Sequence, residues 1–142
     1  MSTPILTQVR NNLVAIISLT VALSGLGYNT WRNERTELNS NIRMAGFEVL
    51  TEVGALQRVV FFGHYDRDPE QGNPRAGWAH VLTIHDLSQV IPAPVPDEAE
   101  RLKATWGDHW HKVGESDESV AAINDAIDAY RMAILANLRK LR

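Results

Sequence analysis

The stretch LVAIISLTVALSGLGY, residues 13–28, carries no charged side chain, and the rest of the chain is organised around it. Widened to the nearest charges, Arg10 and Arg32, the uncharged run extends from Asn11 to Trp31. About 20 helical residues cross a hydrocarbon core about 30 Å thick. We therefore predict a single transmembrane anchor at 13–31, preceded by a short polar tail at 1–12.

Two alternatives to an anchor remain open. A cleaved signal peptide has a basic start and a small-residue cleavage site, for which Ala22-Leu23-Ser24 qualifies, although Arg10 is the one basic residue before the run. A buried core helix is the other alternative. Tyr28 and Trp31 stand where interfacial aromatic residues belong, which favours the anchor.

The small and polar residues of the anchor follow helical spacing. They recur at intervals of 4, 3, 4, 3 and 4 as Asn11, Ala15, Ser18, Ala22, Gly25 and Asn29. Small residues let membrane helices approach closely, and Asn can bond across the contact. We predict an intramembrane packing face for a protein partner or a second copy, although Thr20, Ser24 and Gly27 form a shorter set on the opposite side.

No proline interrupts the chain between Trp31 and Phe62, and apolar residues recur there at helical period. The pattern predicts that the anchor continues directly into a helix at about 32–62. On a straight helix, the small-residue face of the anchor points away from this apolar stripe and is free for a partner.

Three more helices are predicted, at about 75–91, 96–113 and 117–142. Asn73-Pro74 reads as a cap and first position, Pro92, Pro94 and Pro96 form an extended linker, and Ser116 caps the last helix. The predicted fold is all-α: one N-terminal transmembrane helix continuing into a soluble up-down antiparallel bundle of about four helices at 32–142.

In an up-down bundle the last helix returns to the membrane. We therefore predict that Arg139, Lys140 and Arg142 lie at the lipid headgroups, as do Tyr28 and Trp31 near the end of the anchor. The alternative is that the basic last turn complements the helix dipole.

The residue content argues against several chemistries. Net charge is −3, which gives no basic field for nucleic acid, and there is no cysteine. The histidines lack the i, i+3 or i, i+4 spacing of helical metal ligands, and no nucleophile or phosphate-loop motif is present. We expect no enzyme, no cofactor and no metal, and we interpret Trp78, Trp106 and Trp110 as core.

The polar connection after the first long helix offers the best candidate binding loop. It contains His64, Tyr65, Asp66, Arg67 and Asp68, and we place it at the membrane-distal end. An ordinary helix connection is an equally good interpretation of the same residues.

Three functions follow, in this order. The first is a non-enzymatic protein of the bacterial inner membrane, with a single span, that binds a protein partner as an accessory subunit, assembly factor or adaptor. The second is a ligand-sensing bundle, since the long membrane-proximal helix and antiparallel layout resemble the sensor domains of bacterial chemoreceptors. A metal-dependent enzyme is a distant third.

The side of the membrane that holds the soluble domain is left open. Arg32, Arg35 and Arg43 against Arg10 favour the cytoplasm by the positive-inside rule, whereas short-tailed anchors often export their domain. A reporter fused to the C-terminus decides between the two sides.

Overall fold

The computed structural model describes residues 12–141, which leaves Asn11, the tail before it and Arg142 outside the described part. Within that part the chain is all-α, with four α-helices and no strand. The helices are α1 (Leu13–Phe61), α2 (Pro74–Ser88), α3 (Val95–His109) and α4 (Asp117–Lys140). A π-helical turn, Phe62–Asp66, follows α1, and a 3₁₀ turn, Trp110–Lys112, follows α3.

The chain divides into two compact units. The N-terminal unit is Met1–Leu38 and the helical unit is Asn39–Arg142. Helix α1 runs through the boundary without a break, as the absence of proline predicts.

The described part of the N-terminal unit is a single helix with its side chains exposed. It contains a window of 18 residues that is long and apolar enough to cross a membrane, and none of that window is buried within the chain. Nothing lies within 4 Å of a Cβ built on Gly25 or Gly27. The apolar side chains of this window are therefore exposed rather than part of a core.

The helical unit has a conventional apolar core. From α1 it takes Val49, Val53, Leu56 and Val60, and from α4 it takes Val120, Ile123, Ile127, Tyr130 and Ile134. These positions repeat at intervals of three and four residues, so burial falls on one face of each helix, as the spacing predicts. Trp106 is fully buried, while Trp78 and Trp110 pack against the core at its edge.

Two glycines set close helix contacts in this unit. A Cβ on Gly77 of α2 would overlap the indole ring of Trp106 in α3, and a Cβ on Gly46 of α1 would lie 2.7 Å from Leu138 Cδ2 in α4. Glycine lets the two helices of each pair approach where a larger residue would push them apart.

Residues farther along α1 contact residues earlier in α4, so the residue numbers of the two contact partners change in opposite directions. Gly46 lies against Leu138, and farther along α1 the Gln57 Oε1 atom accepts a hydrogen bond of 2.6 Å from Arg131 Nη2. Arg43 Nη2 donates to the Leu141 carbonyl oxygen at 3.2 Å.

The helix ends follow the predicted caps but not all the predicted lengths. The Asn73 side chain accepts from Arg75 N, with Pro74 in the first turn, and the Ser116 side chain accepts from Ser119 N. Helix α2 ends at Ser88 rather than at 91, because the chain closes into turns in which Gln89 N donates to Asp86 O. Helix α3 ends at His109 rather than at 113, because the 3₁₀ turn tightens its end.

Candidate functional site

The first residues of the predicted binding loop form a regular helical turn rather than an irregular connection. His64, Tyr65 and Asp66 belong to the π-helical turn, and Arg67, with φ of 49°, ends that turn in the left-handed region. The Asp68 N–H donates to Phe62 O at 3.0 Å. Turns of this kind occur often at functional sites.

Asp68 organises the chain that follows the π-turn. Its Oδ1 accepts from the backbone N–H groups of Gln71 at 3.0 Å and Glu70 at 2.8 Å. These two hydrogen bonds, the one from Gln71 first, hold the pKa of the Asp68 carboxyl below its ordinary value, because they favour the charged form. The loop then folds back so that Gly72 touches the backbone of Gly63, and a Cβ on Gly72 would overlap that backbone.

His64 joins the π-turn to the start of α4. Its Nδ1 lies 2.9 Å from the Val113 carbonyl oxygen, and its Nε2 lies 3.0 Å from Asp117 Oδ1. The carbonyl can only accept, so Nδ1 donates. The imidazole is 12% exposed and the Asp117 side chain 98% exposed, so the pair stands at the edge of a surface concavity.

This concavity has a volume of about 330 Å³. Its lining residues are His64, Tyr65, Asp117, Val120, Ala121 and Asn124. The Tyr65 ring stands edge-on to His64, with 4.7 Å between centroids, and also meets Phe61 at 5.3 Å. The site thus combines an aromatic wall, an imidazole and a carboxylate, a mixture that suits a small polar ligand.

An apolar groove lies on α1 near the same turn. It has a volume of about 340 Å³ and is lined by Gly54, Gln57, Arg58, Phe61 and Phe62. Half of the Phe61 surface is exposed, and nothing lies within 4 Å of a Cβ on Gly54. The groove forms where Gly54 has no side chain, next to the exposed ring of Phe61.

The other predicted site residues lie apart from this concavity. Of the predicted packing face, Ala15, Ser18, Ala22, Gly25 and Asn29 are exposed along the N-terminal unit, and Asn11 is outside the described residues. Their packing role, like the interface role of the residues below, stays a prediction.

The predicted membrane-interface residues that the structure describes are all exposed on helices. Tyr28 and Trp31 are in ring contact at 6.1 Å, and the Arg35 guanidinium lies 5.4 Å from the Trp31 ring centre. Arg139 and Lys140 are exposed in the last turn of α4, and Arg142 is outside the described residues.

Two histidines pair with glutamates of neighbouring helices, and spacing along one helix does not predict such pairs. His80 Nδ1 of α2 lies 2.7 Å from Glu52 Oε2 of α1, and His85 Nε2 lies 2.8 Å from Glu100 Oε2 of α3. Each pair joins neighbouring helices at the edge of the core. In residues 12–141, no group of three or more His, Asp or Glu side chains is placed to hold a metal.

Two buried hydroxyl groups, far apart in the sequence, also pair in the core. Ser88 Oγ donates to Ile84 O at 2.6 Å, and Tyr130 OH lies 2.6 Å from the same Ser88 oxygen, to which it donates. Burial raises the pKa of Tyr130 to about 12, and its hydrogen bond with Ser88 opposes part of that rise. The pair is enclosed in the core, so we assign it to packing.

No protein-family model matches the chain, and neither curated proteins nor solved structures provide a match. Function is therefore inferred from the residues and contacts above.

Proposed function

We propose that this chain is a single-span protein of the bacterial inner membrane that carries an up-down helical bundle and acts by binding a protein partner, without catalysis. The apolar window of α1, none of which is buried within the chain, carries the proposal. Apolar surface of this extent is covered in a native protein, and a bilayer covers a helix of this length completely.

The bundle topology is supported by the contacts of α1 with α4. Gly46 meets Leu138 and Gln57 meets Arg131, so the two helices run in opposite directions. Short connections then join α2 and α3 between them, which is the arrangement of an antiparallel bundle.

The partner contact is assigned to the small-residue face of the span. Ala22 and Gly25 are its centre, and the open space around Gly25 leaves room for a second helix backbone. The partner is either a different membrane protein or a second copy of this chain.

Paired substitutions test the contact. Ala22→Leu with Gly25→Leu adds bulk to the small-residue face, whereas Ser24→Leu with Gly27→Leu adds similar bulk to the opposite side. We expect the first pair to reduce recovery of partner about tenfold or more, measured by quantitative mass spectrometry after purification from native membranes, with light scattering to score self-association. The control pair should leave recovery unchanged. Equal effects from both pairs would remove the face as the contact.

Ligand sensing is the second candidate, and the concavity beside His64 favours it. A thermal-shift screen of the full chain in detergent against small polar metabolites tests this function. A ligand at this site should stabilise the wild type but not Tyr65→Ala, while Phe47→Ala, which removes another exposed aromatic ring away from the concavity, should behave as wild type. A screen with no shift, or a shift kept by Tyr65→Ala, counts against sensing here.

A metal-dependent enzyme remains the distant third candidate. Elemental analysis of the purified full chain tests it directly, since a catalytic metal would be recovered in stoichiometric amount.

A further inference from the structure

Three segments without an acidic residue meet at one end of the helical unit. They are 39–47 of α1, 89–96, which joins α2 to the first two residues of α3, and 132–141, which ends one residue after α4. None of the three contains Asp or Glu, although the whole chain has 17 such residues. We call this surface the acid-free end.

Hydrogen bonds and close packing join the three segments. Arg43 Nη2 donates to Leu141 O at 3.2 Å, and Gly46 packs against Leu138. Asn137, which is buried, donates from Nδ2 to Pro92 O at 3.1 Å. The acid-free end is therefore one surface built from three parts of the sequence.

Basic and apolar side chains share this surface. Arg43, Arg139 and Lys140 are exposed on it, and among residues 12–141 the ion pairs involve none of these three cations. Met44 is 67% exposed and Val90 is 63% exposed. Cations beside exposed apolar tips are the combination that binds at a headgroup layer, where the tips reach the acyl boundary and the cations meet phosphate.

The opposite end has the opposite character. Helix α4 has 24 residues, about 36 Å of helix. At its other end stand Asp66, Asp68, Glu115, Asp117 and Glu118, with Arg67 and Lys112 among them. Acidic residues border the three segments, with Glu37 and Glu48 on either side of the first, Asp86 and Asp97 on either side of the second, and Asp128 before the third. The cations of the acid-free end therefore lie within the segments, and the acids lie outside them.

We propose that the acid-free end is a docking surface for anionic lipid headgroups. The polypeptide enters the helical unit at Asn39, so this end is the one covalently joined to the candidate span. An acidic protein surface would satisfy the cations, but it gives no reason for apolar tips at the end that the span enters. The proposal rests on the proposed function for delivery of the unit to a membrane, and it adds the lipid class that holds it there.

The test uses the absence of cysteine from the chain, so that one introduced cysteine carries the only label. A donor dye on Ala93→Cys, an exposed position of the 89–96 segment that is neither a cation nor an apolar tip, reports the acid-free end, and a donor on Glu115→Cys reports the opposite end. The full chain is reconstituted in vesicles of phosphatidylcholine alone or with about 30% phosphatidylglycerol, whose anionic headgroups give the surface a negative potential. Energy transfer to a headgroup-labelled lipid measures proximity.

We expect transfer from position 93 to rise when phosphatidylglycerol is present, and transfer from position 115 to stay low. Each basic residue near anionic lipid contributes about fivefold, so Arg139→Gln with Lys140→Gln should lower the ratio of docked to undocked protein about 25-fold. The matched control, Arg75→Gln with Lys112→Gln, makes the same change in net charge elsewhere and should have no effect. Circular dichroism verifies that both pairs keep their helix content.

Salt gives an independent arm. Ionic strength of about 1 M shortens the screening length to about 3 Å, so the difference between the two lipids should vanish. Transfer from position 93 that is the same in both lipids, or that falls equally with the control pair, overturns the proposal. Docking that requires an added acidic protein in place of phosphatidylglycerol also overturns it.

Flotation separates this proposal from the anchor. A chain that inserts floats with neutral vesicles whatever its basic residues, so a chain that fails to float with them contradicts the anchor. Binding to phosphatidylglycerol that is lost with Arg139→Gln and Lys140→Gln would still support the docking surface in that case.

Discussion

Helix α1 passes through two regions in which the burial of apolar residues differs. In the helical unit, Val49, Val53 and Leu56 are fully buried on one face, while the polar residues Thr51 and Arg58 are exposed on the other. In the N-terminal unit, apolar side chains stand exposed around the helix. The same helix therefore has an internal core to cover its apolar residues in one region and needs an outside medium in the other.

This contrast teaches how to distinguish a core helix from a span. A core helix is amphipathic, because its neighbours cover one side. A span is apolar all round, because lipid covers every side. Matched substitutions in the two regions test this contrast.

The largest difference should come from a buried charge. Val53→Asp places a carboxylate in the core, and we expect a loss of about 3–5 kcal/mol in the free energy of unfolding. Val21→Asp, at a position 66% exposed in the N-terminal unit, should leave the unfolding of the helical unit unchanged. Urea denaturation of the full chain in detergent, followed by circular dichroism, measures both. Equal destabilisation by the two variants would show that both regions share one core.

Glycine substitutions give the next largest difference. Gly77→Ala would drive a methyl group into the Trp106 ring, and we expect it to cost about 1–3 kcal/mol in unfolding free energy. Gly27→Ala meets nothing within 4 Å and should change stability by less than about 0.5 kcal/mol. The same denaturation experiment applies. A neutral Gly77→Ala would mean that α2 and α3 are not in the close contact described.

High pH should act on the helical unit through Tyr130. Its pKa is raised to about 12 by burial, so the neutral phenol is the form that the fold favours. The stabilisation is fully present below pH 10, where the unfolded phenol titrates, and is lost as the pH rises toward 12. Tyr130→Phe should remove this part of the pH dependence, whereas Tyr65→Phe, at an exposed site, should keep it. Thermal melts at intervals across this range make the comparison.

The smallest effect is expected at Asp68. Its lowered pKa means that the charged carboxylate is favoured in the fold, so its contribution is present above pH 3.8 and fades as the pH falls below that value. The protection of the Gln71 amide, which is the ratio of its intrinsic to its observed exchange rate, should fall as Asp68 is protonated, and Asp68→Ala should show low protection at all pH values. Exchange that ignores both changes would show that the turn does not depend on this carboxylate.

Regular elements were predictable from the sequence because they depend on local periodicity. The five buried positions of α4 from Val120 to Ile134 follow intervals of three and four residues. Ser116 caps this helix, as is typical of a serine that precedes acidic residues at a helix start. The uninterrupted run of α1 followed from the absence of proline.

The ends of α2 and α3 were harder, because burial continues beyond the helix. Ile91 is buried and extends the apolar spacing of α2, yet it lies in the turn after Ser88. Val113 does the same after α3. Spacing identifies residues that are buried, and it does not report whether the backbone that carries them is still helical.

The candidate site depends on contacts between distant residues. His64 meets Val113 and Asp117, about 50 positions away, and Gly63 meets Gly72 through a chain reversal. A π-turn has no distinctive composition, so the sequence predicts Phe62 as the end of the long helix and residues 63–66 as part of a loop. The residue types at the site were therefore predictable, whereas their arrangement was not.

The most direct test of the central claim compares two residues of similar exposure on α1. Leu23 is 59% exposed in the N-terminal unit, and Phe61 is 50% exposed in the helical unit. With Leu23→Cys or Phe61→Cys as the only cysteine, the full chain in native membrane vesicles, opened so that the reagent reaches both faces, is treated with a membrane-impermeant maleimide. We predict rapid labelling at position 61 and protection at position 23 that ends when detergent dissolves the bilayer. Labelling at position 23 as fast as at position 61 in intact bilayers would contradict the claim that lipid covers this stretch.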